Sequence, residues 1–309
     1  MLTKSGLRLG ISLPGVFPGD RVDTDLVRAF AARAESLGYE DLWLTESIVG
    51  GQGTLEPVTL LAYAAACTRR IRLGVSVIIL NYRQPVQLAK AVATLDQLSG
   101  GRVTVGVGLG NSTAAYPAFG IGAERPVARF TESLTIMKAL WTEQQVRLKG
   151  EFWQLEDVSV SPKPVQQPHP PVWMGGHAPA ALRRAVRLAD GWMGAGGARN
   201  ADFFTQIAQI RAYMKELGRD EGSFPLSKRV YIAVDHDEDH ARERLNAGMT
   251  RQYGRAPAGE GAGVAGTPGQ CIEILRSLRD AGLQHLLLHP FADSLQQLEL
   301  LTTEVAPEL

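Results

Sequence analysis

Residues 172–197 read VWMGGHAPAALRRAVRLADGWMGAGG. Two short apolar runs, VWMGG and GWMGA, end in glycine clusters, and a helical pattern opening near Pro179 lies between them. Short apolar runs bounded by glycine read as strands buried on both faces. Strand, helix, strand is the repeating unit of a parallel sheet. A proline at the first helical position loses no hydrogen bond. The N–H groups around Gly176, His177 and Ala180 then point along the positive end of a helix dipole. Gly175 and Gly176 let a large anion approach the main chain. This is the pattern of a phosphate seat; a tight turn without a ligand accounts for the same residues. Arg183 and Arg184, one turn on, add charge or face solvent. The second run ends in Gly194-Ala195-Gly196-Gly197, beside the first in a parallel sheet. Two adjacent strand ends without large side chains make a wall for a flat or phosphorylated group, touching Met174, Ala195 and Gly196.

The same alternation fills the chain. Strands are expected at 7–12, 41–46, 71–80, 102–110, 172–176, 191–195, 228–235 and 285–290. Helices are expected near 22–37, 57–68 and 85–98, the first stopping at Gly38 and the third at Gly100-Gly101. After the fourth strand, a loop leads to a helix carrying Val127, Phe130, Leu134, Met137 and Trp141. A hairpin at 146–155 follows, turning at Lys149-Gly150. The Gly/Ala-rich stretch 254–266 predicts a mobile connection, GTPGQ (266–270) a helix start, and 293–304 a closing helix. Eight such units predict a (β/α)8 TIM barrel forming one domain over 1–309, with an insertion at about 111–165. A doubly wound sheet is the alternative, but SLPGVFPGD after the first strand does not fit its glycine turn.

The composition agrees with this. The chain has 309 residues, 45% of them hydrophobic, with 32 basic and 32 acidic side chains. A formal net charge of zero gives no reason to expect nucleic acid as a partner. No apolar run approaches the roughly 20 residues that span a bilayer. MLTKSGLRLGISLPG lacks the features of a signal peptide, so a cytoplasmic protein is expected. Cys67 and Cys271 read as thiols in helices, not a disulfide.

Several segments together resemble the bacterial luciferase-like family of flavin and deazaflavin oxidoreductases. They are residues 55–110, including LDQLSGGR and the glycine-rich fourth strand, 139–155, 162–176 and LADGW (188–192). The resemblance implies a barrel that binds reduced FMN or coenzyme F420 across its strand ends. It implies a non-prolyl cis peptide and a bulge at Ser76-Val77 behind the ring, with the cofactor phosphate at Gly175–His177. It also places Gly108 and Asn111 beside the ring. Strand two often ends in an acid followed by histidine in this family. Here Glu46 is followed by Ser47, which puts histidine catalysis at that position in doubt; Glu46 and Ser47 stand as the catalytic candidates there, Glu46 to orient a donor or polarise a water and Ser47 to hydrogen-bond substrate. The family further implies a small organic substrate, a homodimer, and a flavin reductase as a source of reduced flavin where FMN is used. The expected reaction is oxygenation by reduced FMN and O2; F420-dependent hydride transfer is the alternative, and a non-catalytic flavin-binding barrel is a third.

His289, at the end of strand eight, is the best-placed histidine for acid–base work, and a structural histidine before Pro290 is equally consistent. DHDEDH (235–240) lacks the spacing of a helical zinc motif, and its acids suit the start of a helix; no metal is expected. GVGLGN does not match the nicotinamide fingerprint. Tyr116, Phe119, Phe152 and Trp153 read as insertion core or as a lid. Arg83 and Arg129 are the candidates for meeting the acidic tail of F420.

Overall fold

The computed structural model describes the chain except for Met1, Pro18, Asp20, residues 50–52, Asn111, residues 254–260, Ala292 and the side chains of Gln252 and Tyr253. The strands are β1 (Arg8–Ser12), β2 (Asp41–Leu44), β3 (Arg72–Ile79), β4 (Val103–Gly108), a hairpin of β5 (Val146–Lys149) and β6 (Gln154–Val158), then β7 (Val172–Gly175), β8 (Gly191–Gly194), β9 (Leu226–Val234), β10 (Val264–Gly266) and β11 (His285–Pro290). The helices are α1 (Thr24–Leu37), α2 (Pro57–Cys67), α3 (Pro85–Ser99), α4 (Pro126–Thr142), α5 (Pro179–Leu188), α6 (Asn200–Glu216), α7 (Glu238–Tyr253), α8 (Pro268–Asp280) and α9 (Ser294–Leu300). None is long and apolar enough to cross a membrane among the described residues.

Strands β1, β2, β3, β4, β7, β8, β9 and β11 pair in that order, all parallel, and β11 pairs back with β1. The sheet is a closed eight-stranded TIM barrel, as the alternation predicts. Short β10 extends it by pairing with the far half of β9. The stretch read as a mobile connection thus ends in a strand; its residues 254–260 lie outside the described residues.

Local signals set the helix ends. Helices α2, α3, α4, α5 and α8 open on proline, whose fixed φ suits a first turn. The Asp23 carboxylate accepts from the Leu26 N–H at 2.8 Å, and Gly38 ends α1 at φ 94°, the left-handed cap that favours glycine.

Two apolar cores result. The larger lies between strands and helices. The smaller fills the barrel with Trp43, Trp173, Met193 and Leu287, the two indoles 5.4 Å apart. Glycines make room for them. A Cβ at Gly74 would sit 2.5 Å from the Trp43 ring, and one at Gly191 2.8 Å from Trp173. Beneath them, at the N-terminal ends of the strands, buried His285 bonds to Ser227 Oγ (2.7 Å) and Asp41 Oδ2 (3.1 Å).

The LDQLSGGR segment proves to be scaffold. Buried Asp96 accepts from the N–H groups of Val165 (2.8 Å) and Gln166 (3.0 Å), anchoring the proline-rich stretch. Buried Arg102 donates to the carbonyls of Ala65 (3.0 Å), Ile71 (2.8 Å) and Ser99 (2.7 Å), joining the ends of α2 and α3 to the start of β3. Within the excursion after β4, α4 packs on α3 as a helix of the ring. The hairpin is clamped to α4 by Glu132, which accepts N–H bonds from Glu151 (3.0 Å), Phe152 (3.1 Å) and Trp153 (2.9 Å). Arg129 lies over the rings of Phe152 (4.5 Å) and Trp153 (5.0 Å). Both thiols are free, Cys67 half-buried and Cys271 buried.

The packing of Trp43 generates a test. Gly74→Ala should lower stability by about 1–3 kcal/mol through overpacking, measured by urea unfolding, and adding Trp43→Leu should recover most of the loss. A neutral Gly74→Ala would show that the indole is not held tightly.

Candidate active site at the barrel mouth

A cavity of about 470 Å³ lies over the C-terminal ends of the strands. It is bordered by Thr45, Glu46 and Ser47 after β2, Ser76, Val77 and Ile79 of β3, Gly108 at the end of β4, and Met174 to His177 after β7. Ala195, Arg229 and Phe130 complete the border.

One wall is a bulge. The register between β3 and β4 slips between Val75 and Ile78, and the Ser76-Val77 peptide is cis, where the resemblance places it. The bulge presses into neighbouring strands, and glycine accommodates it. A Cβ at Gly106 would lie 1.9 Å from the Val75 carbonyl, at Gly108 2.6 Å from Val77 Cγ2, and at Gly175 3.1 Å from Val77 Cγ1. The glycines of GVGLG therefore serve strand packing, not a nicotinamide turn. Arg229 Nη1 donates to the Ser76 carbonyl at 2.6 Å, tying β9 to the same wall.

Another wall is the turn into α5. Gly176 sits at φ 142°, and its carbonyl accepts from Trp192 Nε1 at 2.9 Å. The N–H groups of His177 and Ala180 have no hydrogen-bond partner among the described residues. The two arginines separate. Arg183 turns outward to Glu216, whereas half-buried Arg184 borders the cavity. Burial, and then Arg187, lowers the Arg184 pKa from its ordinary value. Free amides, a helix N-terminus and a guanidinium converge on one end of the cavity.

Glu46 borders the cavity, yet its side chain has no exposed surface. Its carboxylate accepts from the Ile79 N–H at 2.7 Å and from both Arg83 Nε (3.2 Å) and Arg83 Nη2. Arg83 also reaches Glu56 at 2.8 Å, the residue that caps α2 through the Thr59 N–H. Burial raises the Glu46 pKa, and Arg83 opposes that rise. The carboxylate is committed to joining β2, β3 and α2. The expectation that Arg83 and Arg129 meet an acidic tail is corrected here: Arg83 is held between two carboxylates, and Arg129 lies on the hairpin rings. Arg184 and Arg229 are the cations that border the cavity.

His289 is separate from this cavity. It is 8% exposed, its Nδ1 lies 2.6 Å from Ser12 Oγ, and it lines a smaller neighbouring space. Gly196 also lies off the cavity border; a Cβ there would meet Arg229 Nε at 2.9 Å and the Tyr231 ring at 3.0 Å. Asn111 lies outside the described residues. Tyr116, Phe119, Phe152 and Trp153 do not border the cavity. Tyr116 is buried, its hydroxyl accepting from Asn81 Nδ2 at 2.7 Å, so these rings act as insertion core. In DHDEDH, Asp237 accepts from the N–H groups of Asp239 (3.0 Å) and His240 (3.2 Å), capping α7. Sequence reading missed Arg229 and did not assign Phe130 to the cavity. The available signal for Arg229 was a second cation inside the apolar run of β9, where Lys228 is 1% exposed and pushed down to a pKa of about 8 by burial.

Two tests follow from these contacts. Arg83→Met leaves Glu46 buried without its counter-charge and should cost about 3–5 kcal/mol of stability. The double variant with Glu46→Gln should recover part of it; strict additivity in denaturant unfolding would deny the coupling. Burial, and then Arg229, hold the His289 pKa well below 6.5. An unfolded histidine gains its proton near pH 6.5 and the folded one does not, so stability must fall as pH drops below that value. His289→Gln should flatten this fall between pH 7 and 5 by up to about 1.4 kcal/mol per pH unit, read from thermal midpoints.

Comparison with known proteins places these features in a family. Residues 7–285 match the family described as luciferase-like monooxygenase. An F420-dependent glucose-6-phosphate dehydrogenase of Kineococcus radiotolerans is 28% identical, over 91% of each chain. A monooxygenase of Streptomyces bottropensis has the same fold at a TM-score of 0.83, 23% identity, and 96% and 98% coverage of the two chains. The oxygenating constituent of 3,6-diketocamphane monooxygenase from Pseudomonas putida, in complex with FMN, superposes at a TM-score of 0.80, 19% identical and covering 98% of each chain. The chain is an oxidoreductase of the luciferase-like monooxygenase family.

Proposed function

We propose that the barrel mouth binds the ring and phosphate of a flavin-type cofactor and oxidises or reduces a small organic molecule. The observation that carries this reading is the meeting of two features at one cavity. Bulged Val77, packed against Gly175, offers a smooth apolar support beside the free amides and Arg184 at α5. The reading put first is a monooxygenase using reduced FMN and O2. Bound FMN supplies the electrons for oxygen activation; bound F420 would supply a hydride.

The chain's own residues supply position and dryness. Gly108 and Gly175 make room for the Val77 side chain, and Val77 offers its outer apolar surface to a flat ring. Ile79, Leu109, Phe130, Met174 and Met193 keep water from it. The amides of His177 and Ala180, with Arg184, take the phosphate. Glu46 is held by Arg83 and the Ile79 N–H, and the Ser47 hydroxyl borders the cavity as a neutral group for hydrogen bonding to substrate. The second reading, F420-dependent hydride transfer, is favoured by the relative that the chain matches over 91% of both lengths. Under the FMN reading a separate flavin reductase supplies reduced cofactor. Free thiols at Cys67 and Cys271 fit a reducing cytoplasm, and we infer a homodimer there.

Titration with FMN and with F420, followed by fluorescence quenching, tests the reading. One cofactor should bind at least about tenfold more tightly than the other. Arg184→Glu should weaken it by at least about tenfold, the worth of one charge-assisted contact, with the circular dichroism unchanged. Gly176→Asp is the less clean variant, because φ 142° strains any side chain there. Failure to bind either cofactor would end the proposal.

A further inference from the structure

A second chamber of about 70 Å³ lies beside the main cavity, between the ends of β1, β2 and β11. The two spaces share Thr45. The volume equals about five water-sized spaces. Its lining is mixed: Leu13, Val16, Leu44 and Pro290 are apolar, and Thr45 and Ser294 are polar. At its border sit Ser12 and His289, 5% and 8% exposed. Ser12 Oγ and His289 Nδ1 are 2.6 Å apart. The imidazole is held by Tyr231 edge-on at 5.1 Å and by Phe291 at 5.0 Å. The charged residue of its lining is Arg251, which is exposed on α7.

We infer that this chamber is a subsite for the oxygen of a small neutral alcohol or carbonyl compound, bound through the Ser12–His289 pair. Neutral imidazole carries its proton on either nitrogen. With Nδ1 bare, Ser12 donates to it, and the serine oxygen is left to accept from a ligand hydroxyl. With the proton on Nδ1, the ring donates to Ser12, and the serine O–H turns to a ligand carbonyl. The pair therefore accommodates both members of an alcohol–carbonyl couple without any change of charge. Burial, which disfavours the imidazolium, keeps that exchange neutral. A carboxylate entering the chamber would meet the uncharged Ser12–His289 pair; exposed Arg251 is the cation in the lining, and Arg229, whose charge reaches His289, is turned to the Ser76 carbonyl. Describing the ligand as the substrate rests on the function proposed above; the binding itself does not require the cofactor.

The test uses the cofactor-free full chain labelled with 15N. The ring nitrogens of His289, assigned by their loss in His289→Gln, are followed by NMR during titration with 2-propanol, acetone and acetate. The expected result is saturable binding of the two neutral probes with opposite effects. 2-Propanol should shift His289 toward the tautomer with bare Nδ1, and acetone toward the one with Nδ1–H. Acetate should not saturate. Ser12→Ala should weaken both neutral probes by about tenfold, the scale of one hydrogen bond to a buried group, and Ser12→Thr, which keeps the hydroxyl, should restore them. Three results would overturn the inference: no saturable change at His289, shifts in the same direction for both neutral probes, or tighter binding of acetate than acetone. Should neither FMN nor F420 bind while this pattern holds, the subsite stands and only the cofactor reading falls.

Discussion

The contact between the bulge of β3 and the bare backbone of β4 and β7 constrains the rest of the mouth. Val77 projects where a regular strand would present a flat ladder. The space it takes must be surrendered by its neighbours, and Gly106, Gly108 and Gly175 do so. A methyl group at Gly106 would overlap the Val75 carbonyl outright. Strand β4 therefore cannot carry side chains on its inner face near its end. That leaves the apolar surface of Val77 facing open space. The turn after β7 adds a constraint of its own, because Gly176 sits at φ 142° with Ala181 Cβ 2.8 Å from where its side chain would begin.

Charge is distributed around that wall in a consistent way. The carboxylate nearest the cavity, Glu46, is turned into the scaffold and compensated by Arg83 and the Ile79 N–H. The cations at the border, Arg184 and Arg229, stand at the α5 end and on β9. The cavity border is thus electropositive both at α5 and at the bulge wall, where Arg229 holds the Ser76 carbonyl. Such a field suits a ligand with an anionic tail. Opposite the tail, the chamber at Ser12 and His289 presents a polar pair without net charge. Tail, ring and reacting group thereby meet environments of different polarity in sequence around the mouth.

Much of the fold was legible because its signals are local. Prolines opening helices, the glycine stop at Gly38 and apolar runs of strand length act within a few residues, and the eightfold alternation then points to a closed barrel. The anion seat was legible for the same reason: Gly175, Gly176 and Pro179 are close in sequence. What stayed hidden depends on partners far along the chain. The roles of Gly74 and Gly191 depend on which indoles fill the barrel, and periodicity does not reveal that. Arg83 looks like a free cation at the rim until Glu46 and Glu56, 37 and 27 residues away, are seen to hold it. Gly196 reads as bare wall, but its missing side chain makes room for Arg229 and Tyr231. The cis peptide at Ser76-Val77 came from resemblance alone; nothing in those two residue types marks it.

The replacement of a second-strand histidine by Ser47 takes on a different meaning once the buried groups are placed. A titratable group at that point would stand close to Glu46 and Arg83, inside the link that joins β2, β3 and α2. Any proton it gained would alter the charge balance of a carboxylate with no access to solvent. Serine avoids that perturbation. The neutral histidine of the mouth is found instead two strands away on β11, packed by Tyr231 and Phe291 and bonded to Ser12. There a change of tautomer redirects one hydrogen bond without placing charge next to the load of Glu46. Separating the rigid ion pair from the adaptable Ser–His pair lets the ring wall stay fixed while the substrate end accommodates two oxidation levels.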